Sequence, residues 1–363
     1  MRRNRNYHVL TILFIFSVLI VGCARTKIVD KIGIIHAYGM DTNDKGELVA
    51  TALIPEFSKS KSSDIIKYLE EENNNSPILV SELSTKTNTP MRIAKIRVLL
   101  FGNKFARTGI RDIVKRFILT PELGTNIQIA VSTESARETL KKFKKEKSLT
   151  LADQIEQNMR DEFIPFMNLH VFLNNFFGEG MDAYVPLITV DRQERLKIIG
   201  LGIFKGDKLK LHLNSEESSI FSLLVDEKTN ANYKIELDGN NRNEMIAIRF
   251  SSSKSKWDWD KKKKELNLRL KVQITLTQYP ERFKMHDEKD YTKLKNIIEE
   301  NIQNDIQGII KKFKENEVDP IGLGNIVRSQ DRNWDKNKFY QMYSELPIHV
   351  NVELEIIHSG LAD

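Results

Sequence analysis

A strict two-residue alternation between residues 266 and 276 constrains the fold of this chain more than any other feature. Apolar side chains occupy every even position, and polar side chains occupy the odd positions between them. A period of two indicates a β-strand with one buried face and one solvated face. A second run of the same kind extends from Ile348 to Ile356. Because both strands need a cover for one apolar face, we expect them to share one sheet.

Residues 290–315 predict a helix that packs on the apolar face of that sheet. Six apolar side chains recur there at helical spacing, namely Leu294, Ile298, Ile302, Ile306, Ile310 and Phe313. Such a stripe is typical of an amphipathic helix that lies on a sheet. Its polar face mixes acidic and basic residues, which disfavours a role at a membrane surface. The wet strand faces are complementary, with Arg269 and Lys271 on one and Glu353 and Glu355 on the other, so we expect charge pairs across the strands.

The first half of the chain predicts shorter elements. Residues 28–40 and 47–54 are β-compatible runs joined by a turn rich in Gly, Asn and Asp, which indicates a hairpin. Residues 58–77 are rich in Ser, Lys, Glu and Asn and are interpreted as an exposed insertion. The runs 95–101 and 127–131 predict two strands on either side of a helix, and such a crossover makes the strands parallel.

The middle of the chain predicts helices and then a second hairpin. Residues 135–178 have helical spacing. The runs 196–204 and 208–213, joined by a tight turn, then predict paired strands. Ser215 is the expected N-cap of a short helix that ends near Val225.

The start of the chain has the composition of an export signal. Three arginines among the first five residues precede an apolar stretch from Val9 to Val21, which is shorter than the about 20 residues of a membrane span. The segment Ile20-Val21-Gly22-Cys23 then matches a lipoprotein box, although that pattern prefers Leu at position 20. We therefore expect residues 1–22 to be a signal peptide that is cut between Gly22 and Cys23.

Cys23 is the only cysteine in the sequence. A single cysteine cannot form an intramolecular disulfide, whereas two acyl chains on its thiol would attach the protein stably to a membrane. The alternative is an ordinary signal peptide, or an uncleaved anchor, with an incidental cysteine. No other stretch of about 18 apolar residues occurs, so no second membrane span is expected.

The charge of the chain does not indicate a nucleic-acid partner. The formal net charge is +6, and it falls to +3 without residues 1–22, which contain three arginines and no acid. The basic runs at 141–147 and 261–264 are interpreted as solvated surface. A weak attraction of such lysines to anionic lipid headgroups is the alternative.

The sequence contains no motif that would indicate an enzyme. The histidines outside the signal are His36, His170, His212, His286, His349 and His358, and none has the spacing of a metal site. The glycines of 200–206 lead into a β-turn instead of a helix, which is wrong for a dinucleotide loop. Residues 319–324 follow the long helix and are interpreted as a stop and re-entry segment. We expect no catalytic residue, no metal and no cofactor.

Six segments in sequence carry a resemblance to a known family. They are the box at Cys23, Lys31–Asp41, Ile93–Gly102 with Phe105–Ile110, Ile199–Leu209, Asp319–Gly324, and Trp334 with Val350–Gly360. In this order and spacing the chain resembles the Ger(x)C family of spore germination lipoproteins, the C subunits of nutrient germinant receptors. His358 stands where family members often carry a basic residue.

The resemblance implies an α+β fold of three mixed domains in an elongated arrangement, each a sheet flanked by helices. We place their boundaries at 23–190, 191–245 and 246–363. It also implies a non-enzymatic receptor subunit, anchored through lipidated Cys23 on the outer face of the spore inner membrane. Its expected partners are two integral-membrane subunits, A and B, and its expected role is to help trigger germination when nutrients are sensed.

Two other functions are compatible with a lipoprotein of this size. One is a substrate-binding lipoprotein that captures a small ligand for a transporter. The long antiparallel-style strands expected in the last third disfavour it, because such proteins alternate strands and helices in two similar lobes. The other is a cell-wall hydrolase, which the missing metal and nucleophile spacings disfavour.

Overall fold

The protein has a mixed α/β fold, seen in a computed structural model. The structure describes residues 33–56, 65–73, 76–87, 91–93, 95–120, 123–124, 126–144, 151–161, 164–193, 195–227, 230–237 and 244–359. The strands are β1 (Gly33–Ile34), β2 (Ala37–Thr42), β3 (Leu48–Glu56), β4 (Ile65–Asn73), β5 (Met91–Arg92), β6 (Val98–Phe101), β7 (Gln128–Ser132), β8 (Tyr184–Val190), β9 (Leu196–Lys205), β10 (Lys208–Asn214), β11 (Asn232–Glu236), β12 (Met245–Asp260), β13 (Glu265–Gln278) and β14 (Ile348–Ser359). The helices are α1 (Ser76–Thr85), α2 (Asn103–Thr108), α3 (Arg111–Ile118), α4 (Ala136–Lys144), α5 (Leu151–Asp161), α6 (Leu169–Phe177), α7 (Ser215–Val225), α8 (Glu288–Glu315), α9 (Leu323–Gln330) and α10 (Lys336–Met342).

An eight-stranded sheet organises the first half of the chain. Its strand order is β10-β9-β8-β7-β6-β2-β3-β4, and the four central strands, β8, β7, β6 and β2, are parallel. β6 and β7 are buried along their whole length. Continuous apolar strands of this kind are typical of parallel strands that are covered on both faces. The predicted hairpin of 28–40 with 47–54 is confirmed by the β2–β3 pair, and the predicted parallel crossover by β6 and β7.

The interpretation of 58–77 as an exposed insertion was wrong. Residues 65–73 form β4, which pairs antiparallel with β3 at the edge of the sheet. Glu70, Glu71 and Glu72 lie on this strand, and charged side chains are common on edge strands because they discourage pairing with another chain. The polar composition therefore marked an edge strand instead of a loop.

A four-stranded sheet organises the second half, in the order β11-β12-β13-β14. The prediction that 266–276 and 348–356 share a sheet is confirmed, with Leu270 opposite Val352. The expected charge pairs also form, because Glu353 lies 3.4 Å from Lys271 and 3.9 Å from Arg269. The expectation of antiparallel strands holds for β12 with β13 but was wrong for β14, which runs parallel to β13 after a crossover through α8, α9 and α10.

The long helix α8 covers the second sheet, as the sequence predicts. Its stripe from Leu294 to Phe313 is buried, and Asp287 caps its first turn by accepting hydrogen bonds from the backbone N–H groups of Lys289 and Asp290. The predicted short helix is α7, but its N-cap is Asn214 and not Ser215. Asn214 and Glu217 form a reciprocal capping box, which a Ser at 215 could not complete because Glu217 would then stand one position too early.

Helix α7 joins the two halves into one continuous core. Phe221 lies edge-on to Tyr184 of β8, with ring centroids 5.0 Å apart, and edge-on to Phe313 of α8 at 5.8 Å. β9 and β10 extend the first sheet beyond residue 190, and β11 borders the second sheet. The stretch 191–245 thus contributes strands to both sheets, and the expected three-domain division stays a prediction.

Candidate functional site

The segment between α8 and α9 is built around the side chain of Asp319, which is fully buried. Its carboxylate accepts hydrogen bonds from the backbone N–H groups of Gly322 (3.0 Å), Leu323 (2.8 Å) and Gly324 (2.9 Å), and from the hydroxyl of Tyr340 (3.1 Å). Residues 319–324 therefore wrap around the carboxylate of Asp319, and their last backbone N–H groups belong to the first turn of α9. The interpretation of this segment as a mere stop and re-entry missed that role.

Asp319 is also tied to the first half of the chain. Its backbone N–H donates to the carboxylate of Asp182 at 2.8 Å, and the backbone N–H of Asp182 donates in return to the carbonyl of Asp319 at 2.8 Å. Lys205, at the end of β9, places its ammonium 3.3 Å from Asp182 and 4.8 Å from the ring centroid of Tyr340. We call these four residues, Asp182, Lys205, Asp319 and Tyr340, the junction cluster.

Two glycines let the backbones meet beside the junction cluster. Gly180 has a φ of +82°, and a Cβ there would lie 2.5 Å from the backbone nitrogen of Asn325. A Cβ on Gly324 would lie 2.9 Å from the Cα of Gly180. Neither contact leaves room for a side chain, and the amide of Asn325 donates to the carbonyl of Gly180 at 2.8 Å. The two halves are therefore in direct backbone contact.

The electrostatics of the junction cluster favour a structural role. Burial, together with the nearby charge of Asp182, raises the pKa of Asp319 to about 6, against the opposing effect of its hydrogen-bond donors. Burial and the two carboxylates raise the pKa of Tyr340. Since the side chain of Asp319 is not accessible to solvent, it has no approach for a substrate. The cluster can hold two segments together and can bind a proton.

The carboxyl end of the parallel strands, where open α/β sheets bind ligands, is filled by the protein itself. Asp41, at the end of β2, accepts hydrogen bonds from the backbone N–H groups of Ala136 (2.9 Å) and Arg137 (2.7 Å), which open α4. A Cβ on Gly102 would lie 1.8 Å from an oxygen of Asp41. The helix N-terminus that could bind an anionic ligand is thus occupied by an internal carboxylate.

The structure disperses the histidines that the sequence singles out. Burial lowers the pKa values of His36 and His212, and the buried Nε2 of His212 has no hydrogen-bond partner among the described residues. His349 lies 3.4 Å from Glu265. In the described ranges, no group of three or more His, Cys, Asp or Glu residues could hold a metal ion. Gly22, Cys23 and the side chain of His358 lie outside the described residues.

The helices of the described part lack the combination of length and apolar character needed to cross a bilayer. An exposed apolar pair does occur at the end of α3, where Ile118 is 49% and Leu119 79% exposed. Leu119 borders an apolar groove of about 360 Å³ that is also lined by Tyr38, Ile93 and Phe117. The pair and the groove together form an apolar patch on this face, and a contiguous apolar patch is one kind of surface that binds other proteins.

Comparison with known proteins connects this fold with one biological process. Residues 25–190 match a family model described as the spore germination protein N-terminal domain. Residues 199–360 match one described as spore germination B3/GerAC like, C-terminal. The first matched segment ends with β8 and the second begins within β9, so the division falls inside the eight-stranded sheet.

Two curated relatives match this chain over almost their whole length. Spore germination protein GerQC of Bacillus cereus is 26% identical over 357 residues, which cover 97% of this chain and 99% of the relative. Spore germination protein KC of Bacillus subtilis (strain 168) is 21% identical, covering 97% of this chain and 96% of the relative.

A solved structure has the same fold. The crystal structure of the GerBC protein superposes with a TM-score of 0.56 at 17% sequence identity, covering 88% of this chain and 96% of that one. The two sheets, fastened at the junction cluster, are therefore the mixed α/β body of a spore germination protein. The chain belongs to the Ger(x)C family, as the six sequence segments indicated.

Proposed function

We propose that this protein is the lipid-anchored, non-enzymatic C subunit of a spore nutrient germinant receptor. The observation that carries the proposal is the match of both halves, residues 25–190 and 199–360, to spore germination families directly behind the box at Cys23. The subunit acts by contact with the integral-membrane A and B subunits and is needed for the receptor to trigger germination. The exposed apolar pair at the end of α3 supports a role in contacts between proteins.

Attachment through Cys23 places the folded body on the outer face of the spore inner membrane. Residues 1–22 are removed, and the thiol of Cys23 carries the lipid. Two acyl chains give stable attachment at about 0.8 kcal/mol per buried CH₂.

The substrate-binding alternative has less support. It needs an open ligand site, and the carboxyl end of the parallel strands is filled by Asp41. No observation on the described residues favours a cell-wall hydrolase.

The lipid anchor is tested by Cys23→Ala. We expect this variant to accumulate as unprocessed precursor, to lose stable attachment to the spore membrane, and to lose metabolic labelling with a palmitate analogue. Gly22→Ala is the matched control, because it keeps a small residue at the cut and should be labelled normally. Normal labelling of Cys23→Ala would refute the anchor.

The receptor role is tested by recovering an affinity-tagged chain from detergent-solubilised spore membranes. We expect A- and B-type membrane subunits to be recovered with it. Their absence, together with saturable binding of an amino acid or a sugar to this protein alone, would instead support the substrate-binding alternative.

A further inference from the structure

The hairpin formed by β12 and β13 concentrates the positive charge of this protein. Residues 245–278 contain nine Lys and Arg but only three Asp and Glu, a net charge of +6 that equals the formal charge of the whole chain. The cations are Arg249, Lys254, Lys256, Lys261, Lys262, Lys263, Lys264, Arg269 and Lys271. In the rest of the chain the numbers of acidic and basic residues are equal, so the net positive charge of the protein comes from this one hairpin.

The register of the hairpin places like charges opposite each other. Lys254 faces Lys271, and Lys256 faces Arg269, on the solvated side of the sheet. Such pairs are destabilising when they lie directly across two strands. On the neighbouring strand β14, Glu353 approaches Lys271 and Arg269, but neither Lys254 nor Lys256 forms an ion pair with any described residue. Ion pairing within the fold therefore accounts for Lys271 and Arg269 but not for Lys254 and Lys256.

The turn of the hairpin extends the same charge. Four exposed lysines, 261–264, connect the strands, and the backbone N–H groups of Lys262 and Lys263 donate to Asp260. Lys261 pairs with Asp331 at 2.8 Å, and Lys263 with Glu265 at 3.3 Å. In the described part of the chain, the ammonium groups of Lys262 and Lys264 have no acidic partner.

We propose that this hairpin binds an anionic phospholipid surface by electrostatic attraction. Seven of its nine cations are lysines, which are compact hydrated charges on flexible stems. A specific site for protein carboxylates would favour the rigid, bidentate fork of arginine. Clusters of four to eight exposed cations are typical of attraction to anionic headgroups, and that attraction falls off within a Debye length. The exposed lysine turn and the unpaired Lys254 and Lys256 beside it fit such a diffuse partner.

The proposal goes beyond the lipid anchor and does not depend on it. The test therefore uses the full chain with Cys23→Ser, which has no thiol to acylate, so failure of the proposed anchor cannot change the result. Its affinity is measured by co-sedimentation with vesicles of phosphatidylcholine alone and with about one third phosphatidylglycerol. Binding to phosphatidylcholine alone measures any contribution of the apolar segment 9–21. The difference in affinity between the two kinds of vesicle measures the contribution of the anionic lipid.

The test variant replaces the four lysines of the hairpin that have no ion pair, Lys254, Lys256, Lys262 and Lys264, with Gln. The control variant replaces four exposed lysines elsewhere, namely Lys115, Lys141, Lys210 and Lys336, with Gln. Both variants lose the same charge, and the test variant leaves the described ion pairs of the hairpin intact. Equal melting temperatures would show that all three proteins are folded.

We expect phosphatidylglycerol to strengthen binding of the parent chain at least about tenfold, and this gain to disappear between about 50 and 500 mM NaCl. The test variant should lose most of the gain, and the control variant should keep it. The proposal is overturned if the parent shows no gain, if the test variant keeps it, or if the control loses as much. Each of these outcomes would leave an acidic protein surface as the partner to examine for the hairpin.

Discussion

Asp319 organises the junction because one carboxylate satisfies several buried donors at once. Replacing it with Asn keeps the shape but brings an amide N–H₂ toward donors that now lack an acceptor. An unsatisfied buried polar group costs about 1–3 kcal/mol, so Asp319→Asn should lower the free energy of unfolding by this amount. Denaturant unfolding measures it. The exposed Asp112→Asn should stay within about 0.5 kcal/mol of the parent protein, and an equal effect of both substitutions would contradict this role.

Because the pKa of Asp319 is raised, the stability lost on Asp319→Asn should depend on pH. The folded-state pKa of about 6 lies above the ordinary value of 3.8, so the folded state binds the proton more tightly than the unfolded state. The contribution of this titration to stability is fully present below pH 3.8 and is lost as the pH rises through about 6. The cost of Asp319→Asn should therefore be larger at pH 4 than at pH 7. If the cost of Asp319→Asn instead grew with pH, the hydrogen-bond donors would lower the pKa of Asp319 by more than burial raises it.

Sequence reasoning singled out residues 319–324 but not the residues that contact them across the junction. The glycines after Asp319 were visible, and so was their position behind a long helix. Their purpose depends on Gly180 and Asp182, which approach from the other half of the chain. No local pattern encodes a contact across that separation, so periodicity and turn chemistry could not predict it.

At the scale of an element, β14 has its buried side chains on one face of the sheet and its charged side chains on the other. The contributions of burial and of charge to stability can therefore be measured separately. Val352 is 7% exposed and faces α8, whereas Glu353 is 46% exposed on the opposite face. Val352→Asp buries an unpaired charge and should cost several kcal/mol. Glu353→Lys breaks two exposed ion pairs and should cost about 1 kcal/mol or less. Thermal unfolding of the two variants measures the difference, and comparable losses would contradict the assignment of the faces.

Elements with a regular apolar period were predictable, and those without one were not. β13, β14 and α8 followed from spacing alone. β12 was missed because Ser and Lys fill much of it, and its Trp257 and Trp259 are only partly buried. The direction of β14 was missed for a different reason, since alternation reports which face is buried and not which way a strand runs.

At the scale of the whole molecule, the proposed action by contact predicts that single histidines are dispensable. Alanine at His36, His170, His212, His286, His349 or His358 should not abolish the nutrient response of spores at normal protein abundance. Interface energy is shared between a central cluster and its rim, so loss of function should need several surface changes or a core change such as Ile302→Asp. Germination assays with immunoblots measure both quantities. One histidine that silences the response at normal abundance would reveal a missed site.

The parallel insertion of β14 also determines the order in which the second half of the chain can fold. β13 finds its last neighbour only after the chain has passed through α8, α9 and α10. Until residues 348–359 have left the ribosome, β13 has an unpaired edge and α8 lacks part of the sheet that it covers. The second half of the chain therefore completes its sheet only when almost all of its residues have been synthesised.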